Sequence, residues 1–207
     1  MASALKLICS GGRLPRAANL SNMPTDRFEG SLGLSGVGSD SEITRLDLAQ
    51  HYSYVFPDWH SMTALRKLGP LVEMGAGTGY WAFKLRAIGA DILAFDQAPP
   101  DGDTPNRYHQ RTPNWTEVLQ GDHTVLTAHS DRALFLCWPP LFSSLGDCLS
   151  FYNGATVACI GDGGHRTARL RNLNSMFEVV AVHPARAVDP LSGHAATLSI
   201  WRRLAPD

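Results

Sequence analysis

From Leu71 onward the chain alternates short apolar runs with helix-length amphipathic ones, and this alternation limits the folds open to it more than any other feature. The strand-like runs are LVEM (71–74), DILAF (91–95), EVLQ (117–120), ALFLCW (133–138), TVACIG (156–161), FEVVAV (177–182) and TLSIWRRL (197–204). Helix-like segments fall at Tyr80–Ala87, His123–His129, Phe142–Tyr152 and His165–Asn174. A further one at Trp59–Leu68 has Asp58 as its N-cap and stops at Gly69-Pro70. Strands that are apolar throughout need cover on both faces. The pattern therefore predicts an α/β fold, a doubly wound, mostly parallel, seven-stranded sheet in a three-layer α/β/α arrangement. The connection from Pro184 to Ala195 holds two prolines and a glycine and reads as a loop, so an antiparallel last strand is expected.

With 207 residues and 44% hydrophobic content the chain is long enough for one well-buried domain. Residues 10–41 are rich in Gly, Ser, Asn and Pro and carry leucines too scattered to form a buried face. A flexible N-terminal tail over 1–45 and a single domain over 46–207 are expected. Lys6, Arg13 and Arg16 precede the first acid at Asp26, which resembles an organelle transit segment; a plain tail and a cytoplasmic location are the simpler expectation. A formal charge of −1 gives no global pull toward nucleic acid or anionic lipid, although a local basic patch would not show in that total. No apolar run approaches the roughly 20 residues of a membrane span. Cys9, Cys137, Cys148 and Cys159 lie far apart with no CxxC pair, and no metal site is expected.

The first strand turns into its helix through Gly75-Ala76-Gly77-Thr78-Gly79. In a doubly wound sheet this is where ligands bind, because small residues let the backbone bend and approach closely while the helix start offers unpaired N–H groups. A dinucleotide fingerprint would place Gly or Ala at position 80, which is Tyr80. Glycines two apart, preceded by Glu73, instead resemble the E-x-G-x-G-x-G signature of class I S-adenosylmethionine-dependent methyltransferases. The likeness extends to Asp96 at the end of the second strand, to Gly121-Asp122 after the third and to Trp138-Pro139-Pro140 after the fourth.

That resemblance implies S-adenosylmethionine as cofactor and S-adenosylhomocysteine as product. It implies cofactor contacts from Glu73 near the ammonium, from Gly75, Ala76, Gly77 and Gly79 by their N–H groups, from Asp96 with Gln97 at the ribose and from Asp122 at the adenine. Tyr80, Trp81 and Trp138, with Pro139 beside it, offer faces for the sulfonium through cation–π contact. Many members carry Asn or Asp where this chain has Trp138, whose indole N–H only donates, so methylation of exocyclic amines is disfavoured. Candidate bases are His109, Asp162 and His165, all on loops at the same sheet edge. Tyr54, Trp59, Trp138 and Phe142 are candidate walls for the acceptor. The expected activity is methyl transfer to nitrogen or oxygen of a small aromatic or heterocyclic molecule, by a monomer or homodimer with no membrane partner. The alternatives are an RNA, DNA or protein methyltransferase, favoured if Arg107, Arg111, Arg166, Arg169 and Arg171 lined the site mouth, and a non-catalytic cofactor-binding protein.

Overall fold

The computed structural model describes residues 45–109, 112–140, 144–162, 170–187 and 196–205. The expected tail and the candidates Phe142 and His165 lie outside the described residues. The sheet has the order β1-β7-β8-β6-β5-β2-β3-β4, with β1 Val55–Phe56, β2 Leu71–Met74, β3 Ile92–Asp96, β4 Leu119–Gln120, β5 Ala133–Cys137, β6 Thr156–Gly161, β7 Phe177–Ala187 and β8 Ala196–Arg203. Strands β2 to β6 pair in parallel, and β8 runs antiparallel between β6 and β7. The mostly parallel sheet with an antiparallel last strand is thus as the pattern predicts.

The differences have local causes. The two-residue β1 adds an eighth strand, antiparallel to β7 at Ala187 and Arg186, and it is too short to leave a periodic signal. Strand β7 continues past the expected loop start at Pro184, because that proline pairs with Thr197 on one side while β1 engages only Arg186 and Ala187 on the other. Helix α1, Arg45–His51, is an element the pattern does not predict. Helices α2, Trp59–Arg66, and α3, Tyr80–Ala87, match the expected segments, and the Asp58 side chain accepts from the Ser61 N–H as N-cap. The expected helices near 123–129 and 142–152 are 3₁₀ turns at His123–Ala128 and Ser144–Ser150, and α4 is Leu173–Met176. Among the described residues no helix joins β3 to β4; Pro99, Pro100, Pro105 and Pro113 remove donors from that connection. No helix among the described residues is long and apolar enough to cross a membrane.

Alternation along the strands divides the core into two layers. Leu71 of β2 and Phe135 of β5 join Met62 and Leu65 of α2 and Trp81 and Leu85 of α3 on one face. Val72, Met74, Leu134 and Leu136 join Leu126, Leu149, Tyr152 and Leu173 on the other. Tyr152 is fully buried, and its hydroxyl lies 2.7 Å from the carbonyls of Arg132 and Thr156 and 3.2 Å from the Leu134 N–H that it accepts from. Tyr152→Phe should therefore destabilise the fold by about 1–3 kcal/mol, read as a lower urea midpoint at unchanged m-value, because buried polar groups lose their partner.

Candidate active site

Strand β2 is buried along its whole length, which fixes the glycine turn at the carboxyl edge of the sheet. Gly75, Gly77 and Gly79 all have positive φ, at 71°, 53° and 72°. The turn is closed from within: the Ala76 N–H donates to the Phe95 carbonyl, the Gly77 N–H to Asp96 Oδ2 at 2.8 Å and the Gly79 N–H to the Ala76 carbonyl. The expectation that these amides face a ligand carboxylate is corrected accordingly, because three of them are taken by the protein.

Side chains around the turn tie it to the segment after α1. His109 Nδ1 donates to the Gln50 carbonyl at 2.8 Å, Trp115 Nε1 to His51 O at 2.8 Å, Thr78 Oγ1 to Tyr52 O at 2.6 Å and Trp81 Nε1 to Val55 O at 2.8 Å. Tyr52 also stacks on Trp115 with ring centroids 5.2 Å apart and meets Tyr80 edge-on.

A cavity of about 430 Å³ opens at this edge, within the usual range for a small-molecule site. It brings together the sequence-predicted residues Gly75, Gly77, Asp96, Gln97, Asp122, Trp138, Tyr54 and His109. A smaller chamber of about 30 Å³, walled by Glu73, Ala76, Tyr80 and Trp81 among others, shares Tyr54, Gly75, His109 and Cys137 with it. Five predicted residues, besides Glu73, Ala76 and Tyr80 of the smaller chamber, fall outside the larger cavity. Trp81 is a core side chain against Phe135 with its N–H already used, and it reaches only the smaller chamber. Gly79 abuts Val118 and Thr116. Trp59 is 66% exposed and lines a separate groove, because its position on α2 points away from the sheet edge. Asp162 and Pro139 are not among the residues lining the cavity. Of the proposed basic strip, Arg107 lines the cavity and Arg171 pairs with Asp147 at 2.9 Å, while Arg111, Arg166 and Arg169 lie outside the described residues.

The connection after β3 supplies walls that the pattern does not predict, from Thr104 to Tyr108. Asn106 folds it: its Oδ1 accepts from the Tyr108 and His109 N–H groups, and its Nδ2 donates to the Ala98 carbonyl at 2.6 Å. An Asn in NRYH is a legible turn signal, but the direction of the turn is not. The result sets His109 directly on Gly77, where an added Cβ would lie 2.5 Å from its Nε2.

Electrostatics follow from burial. Glu73 is 1% exposed, its Oε2 has no partner, and desolvation pushes its pKa up to about 8 against the opposing pull of Arg86. Its carboxyl still receives the Ala82 N–H, a first-turn donor of α3 that the side-chain-free cap Gly79 cannot serve. Asp96 is likewise raised by desolvation, opposed by its hydrogen bonds from Ala98 and Gly77. Burial lowers the His109 pKa, and the Nδ1–H bond to Gln50 leaves Nε2 as the ring's lone-pair nitrogen in the neutral form. Asp122 is held low by the Thr124 hydroxyl and N–H. Trp138 has φ 52°, a left-handed conformation uncommon outside glycine, fixed by its N–H to the Ile160 carbonyl at 2.8 Å.

Sheet order, the antiparallel strand beside β6 and the glycine turn at the carboxyl edge together define a doubly wound, Rossmann-like α/β fold. No protein-family model and no curated protein sequence matches the chain. Among solved structures, Thermoplasma acidophilum 1320 is similar at 15% identity, covering 78% of this chain and 95% of that one with a TM-score of 0.48. The methyltransferase domain of bacterial CtHen1-CN is 11% identical over 69% of this chain and 95% of its own, TM-score 0.45. Magnesium protoporphyrin IX methyltransferase from Synechocystis PCC 6803, with bound S-adenosylmethionine, is 11% identical over 70% and 76%, TM-score 0.45.

Gly77→Ala should cost about 1–2 kcal/mol from the left-handed backbone alone and displace His109, read as a lowered melting temperature and an altered His109 resonance. Glu73→Gln tests the buried carboxyl. A pKa raised by folding leaves the wild type at no disadvantage below the ordinary carboxylate range and progressively weaker as pH rises toward about 8. The stability of Glu73→Gln relative to wild type should therefore climb between about pH 5 and 8 and level off above; urea titrations that track each other across that window would contradict a protonated Glu73.

Proposed function

We propose that this chain transfers a methyl group from S-adenosylmethionine to a nitrogen or oxygen of a small aromatic or heterocyclic acceptor. The observation that carries the proposal is the convergence, in one cavity at the carboxyl edge of the sheet, of the glycine turn, Asp96, Asp122, Trp138 and His109. The donor set suits the cofactor: Asp96 and Asp122 both line the cavity, and Glu73 lines the smaller chamber that shares four residues with it. Bound S-adenosylmethionine supplies an activated methyl group on a sulfonium.

The chain's own groups then have distinct tasks. Asp96 accepts the Gly77 N–H on Oδ2 and the Ala98 N–H with a long bond from Asn106 Nδ2 on Oδ1, so its Oδ2 keeps acceptor capacity for a ribose hydroxyl. Asp122 and His123 bound the cavity on the side expected for adenine. Trp138 offers a flat wall on which a planar acceptor can stack. His109, neutral near pH 7 and held in one tautomer by Gln50, can take the acceptor's proton on Nε2. The carbonyl neighbours of Trp138 replace no carboxamide, which favours acceptors such as phenols and ring nitrogens over exocyclic amines.

Calorimetry with S-adenosylhomocysteine, followed by turnover on a panel of phenols and N-heterocycles read as S-adenosylhomocysteine release, tests the proposal. Asp96→Ala should weaken binding at least tenfold through lost charge-assisted hydrogen bonds, about 1.5–3 kcal/mol each. His109→Gln should keep binding within about threefold while slowing turnover on the order of 10²-fold, the usual worth of a general base. Absence of binding to the wild type would sink the cofactor assignment, and full turnover by His109→Gln would remove the base.

A further inference from the structure

Helix α2 carries a face that has no part in the cavity. Trp59, Thr63, Arg66 and the C-cap residue Lys67 recur at helical spacing and, with Ile88 at the end of α3, line an open groove of about 550 Å³. Large aromatic side chains are normally buried, yet Trp59 is the most exposed of the large apolar side chains among the described residues. Among the described residues its indole N–H and ring have no partner, and neither Arg66 nor Lys67 forms an ion pair or a side-chain hydrogen bond.

The charge around this groove is segregated. From Trp59 to Ala90 the sequence holds Arg66, Lys67, Lys84 and Arg86 against one acid, Glu73, in a chain whose net charge is −1. Glu73 is buried on the far side of the helices, within the sheet. Lys84 lies one turn before Ile88 on α3, whereas the Arg86 guanidinium turns to the Ile92 and Glu117 carbonyls and the Thr116 hydroxyl and acts on Glu73, away from the groove. Asp58 adjoins the groove as the N-cap of α2, accepts from the N–H and hydroxyl of Ser61, and keeps its negative charge. A local basic layer is therefore present that the chain totals conceal.

We propose that this α2–α3 face is a docking surface for single-stranded nucleic acid, with Trp59 stacking on a base and Arg66 and Lys67 meeting backbone phosphates. An aromatic platform flanked by unpaired cations is the arrangement that single strands use, because every base has a π-face and every linkage a negative charge. From Trp59 to Lys67 the helix rises about 12 Å, the reach of a few nucleotides. An acidic polypeptide would satisfy the cations and leave the indole exposed, so the aromatic favours the nucleic acid. The proposal is independent of the cofactor and of the acceptor.

Fluorescence anisotropy of a labelled twelve-nucleotide oligouridylate with the full chain at low salt tests it. Saturable binding is expected, falling as salt rises with a log–log slope of roughly −1.4 for two phosphate contacts. Trp59→Ala should weaken binding at least fivefold, and Arg66→Gln with Lys67→Gln at least tenfold while flattening the salt slope; circular dichroism should show each variant folded, since none of these side chains is in the core. Absence of binding at low salt, or binding that all three substitutions leave unchanged, overturns the proposal. Displacement by polyglutamate as effective as by unlabelled oligouridylate, with Trp59→Ala silent, also overturns it and assigns the face to an acidic protein.

Discussion

The upper edge of the sheet depends on one constraint, the left-handed backbone from Gly75 to Gly79. A turn in that conformation cannot hold itself, because its amides would otherwise point at water or at an empty cavity. Here the neighbouring strand supplies the acceptors: the Phe95 carbonyl and the Asp96 carboxylate take the Ala76 and Gly77 N–H groups. Asp96 also takes the Ala98 N–H, so one side chain fixes the end of β3 to the end of β2. A carboxylate that lines the cavity is thereby held in one position by the backbone.

The second layer of support comes from outside the sheet. The carbonyls of Gln50, His51, Tyr52 and Val55 receive side-chain donors from the turn, from α3 and from the connection after β3. Gln50 and His51 end α1, where the last carbonyls have no partner within the helix, Tyr52 follows it, and Val55 opens the edge strand β1, so these carbonyls are available. Each bond is worth about a kilocalorie net. Their larger effect is geometric, because three otherwise unconnected pieces of chain acquire a common reference. His109 takes its orientation from this arrangement, with Nδ1 committed to the Gln50 carbonyl and Nε2 packed beside Gly77 at the cavity wall.

Much of the frame was legible in the sequence, and the reason is periodicity. LVEM, ALFLCW and TVACIG are buried on both faces and stand out as continuous apolar runs, and the segments at 59–66 and 80–87 have clear starts and stops. The glycine turn, Asp96, Asp122 and Trp138 could be found because each ends a strand, where position along the chain implies position at the edge. The rest depends on contacts distant in sequence. Nothing local in RLDLAQHYSYVF says that its carbonyls will face Thr78, Trp81, His109 and Trp115. For the same reason the aromatic residues could not be sorted: Trp81 and Trp59 look alike in composition, yet one packs on Phe135 and the other lies in solvent.

Trp138 shows how the site accommodates a departure from the pattern its neighbours suggest. A non-glycine residue at φ 52° costs on the order of 1–3 kcal/mol, and such strain persists only where the surroundings over-determine it. Two features do so. Cys137 ends β5 in register with Ile160, and the Trp138 N–H returns to the Ile160 carbonyl, so the chain must reverse its twist within a single residue before Pro139. Pro139 in turn biases the residue before it away from the right-handed helical region. Burial of a large indole then offsets the strain, as a small polar side chain in the same place could not. The turn after β5 thus sets a large, mostly buried indole at the wall of the cavity.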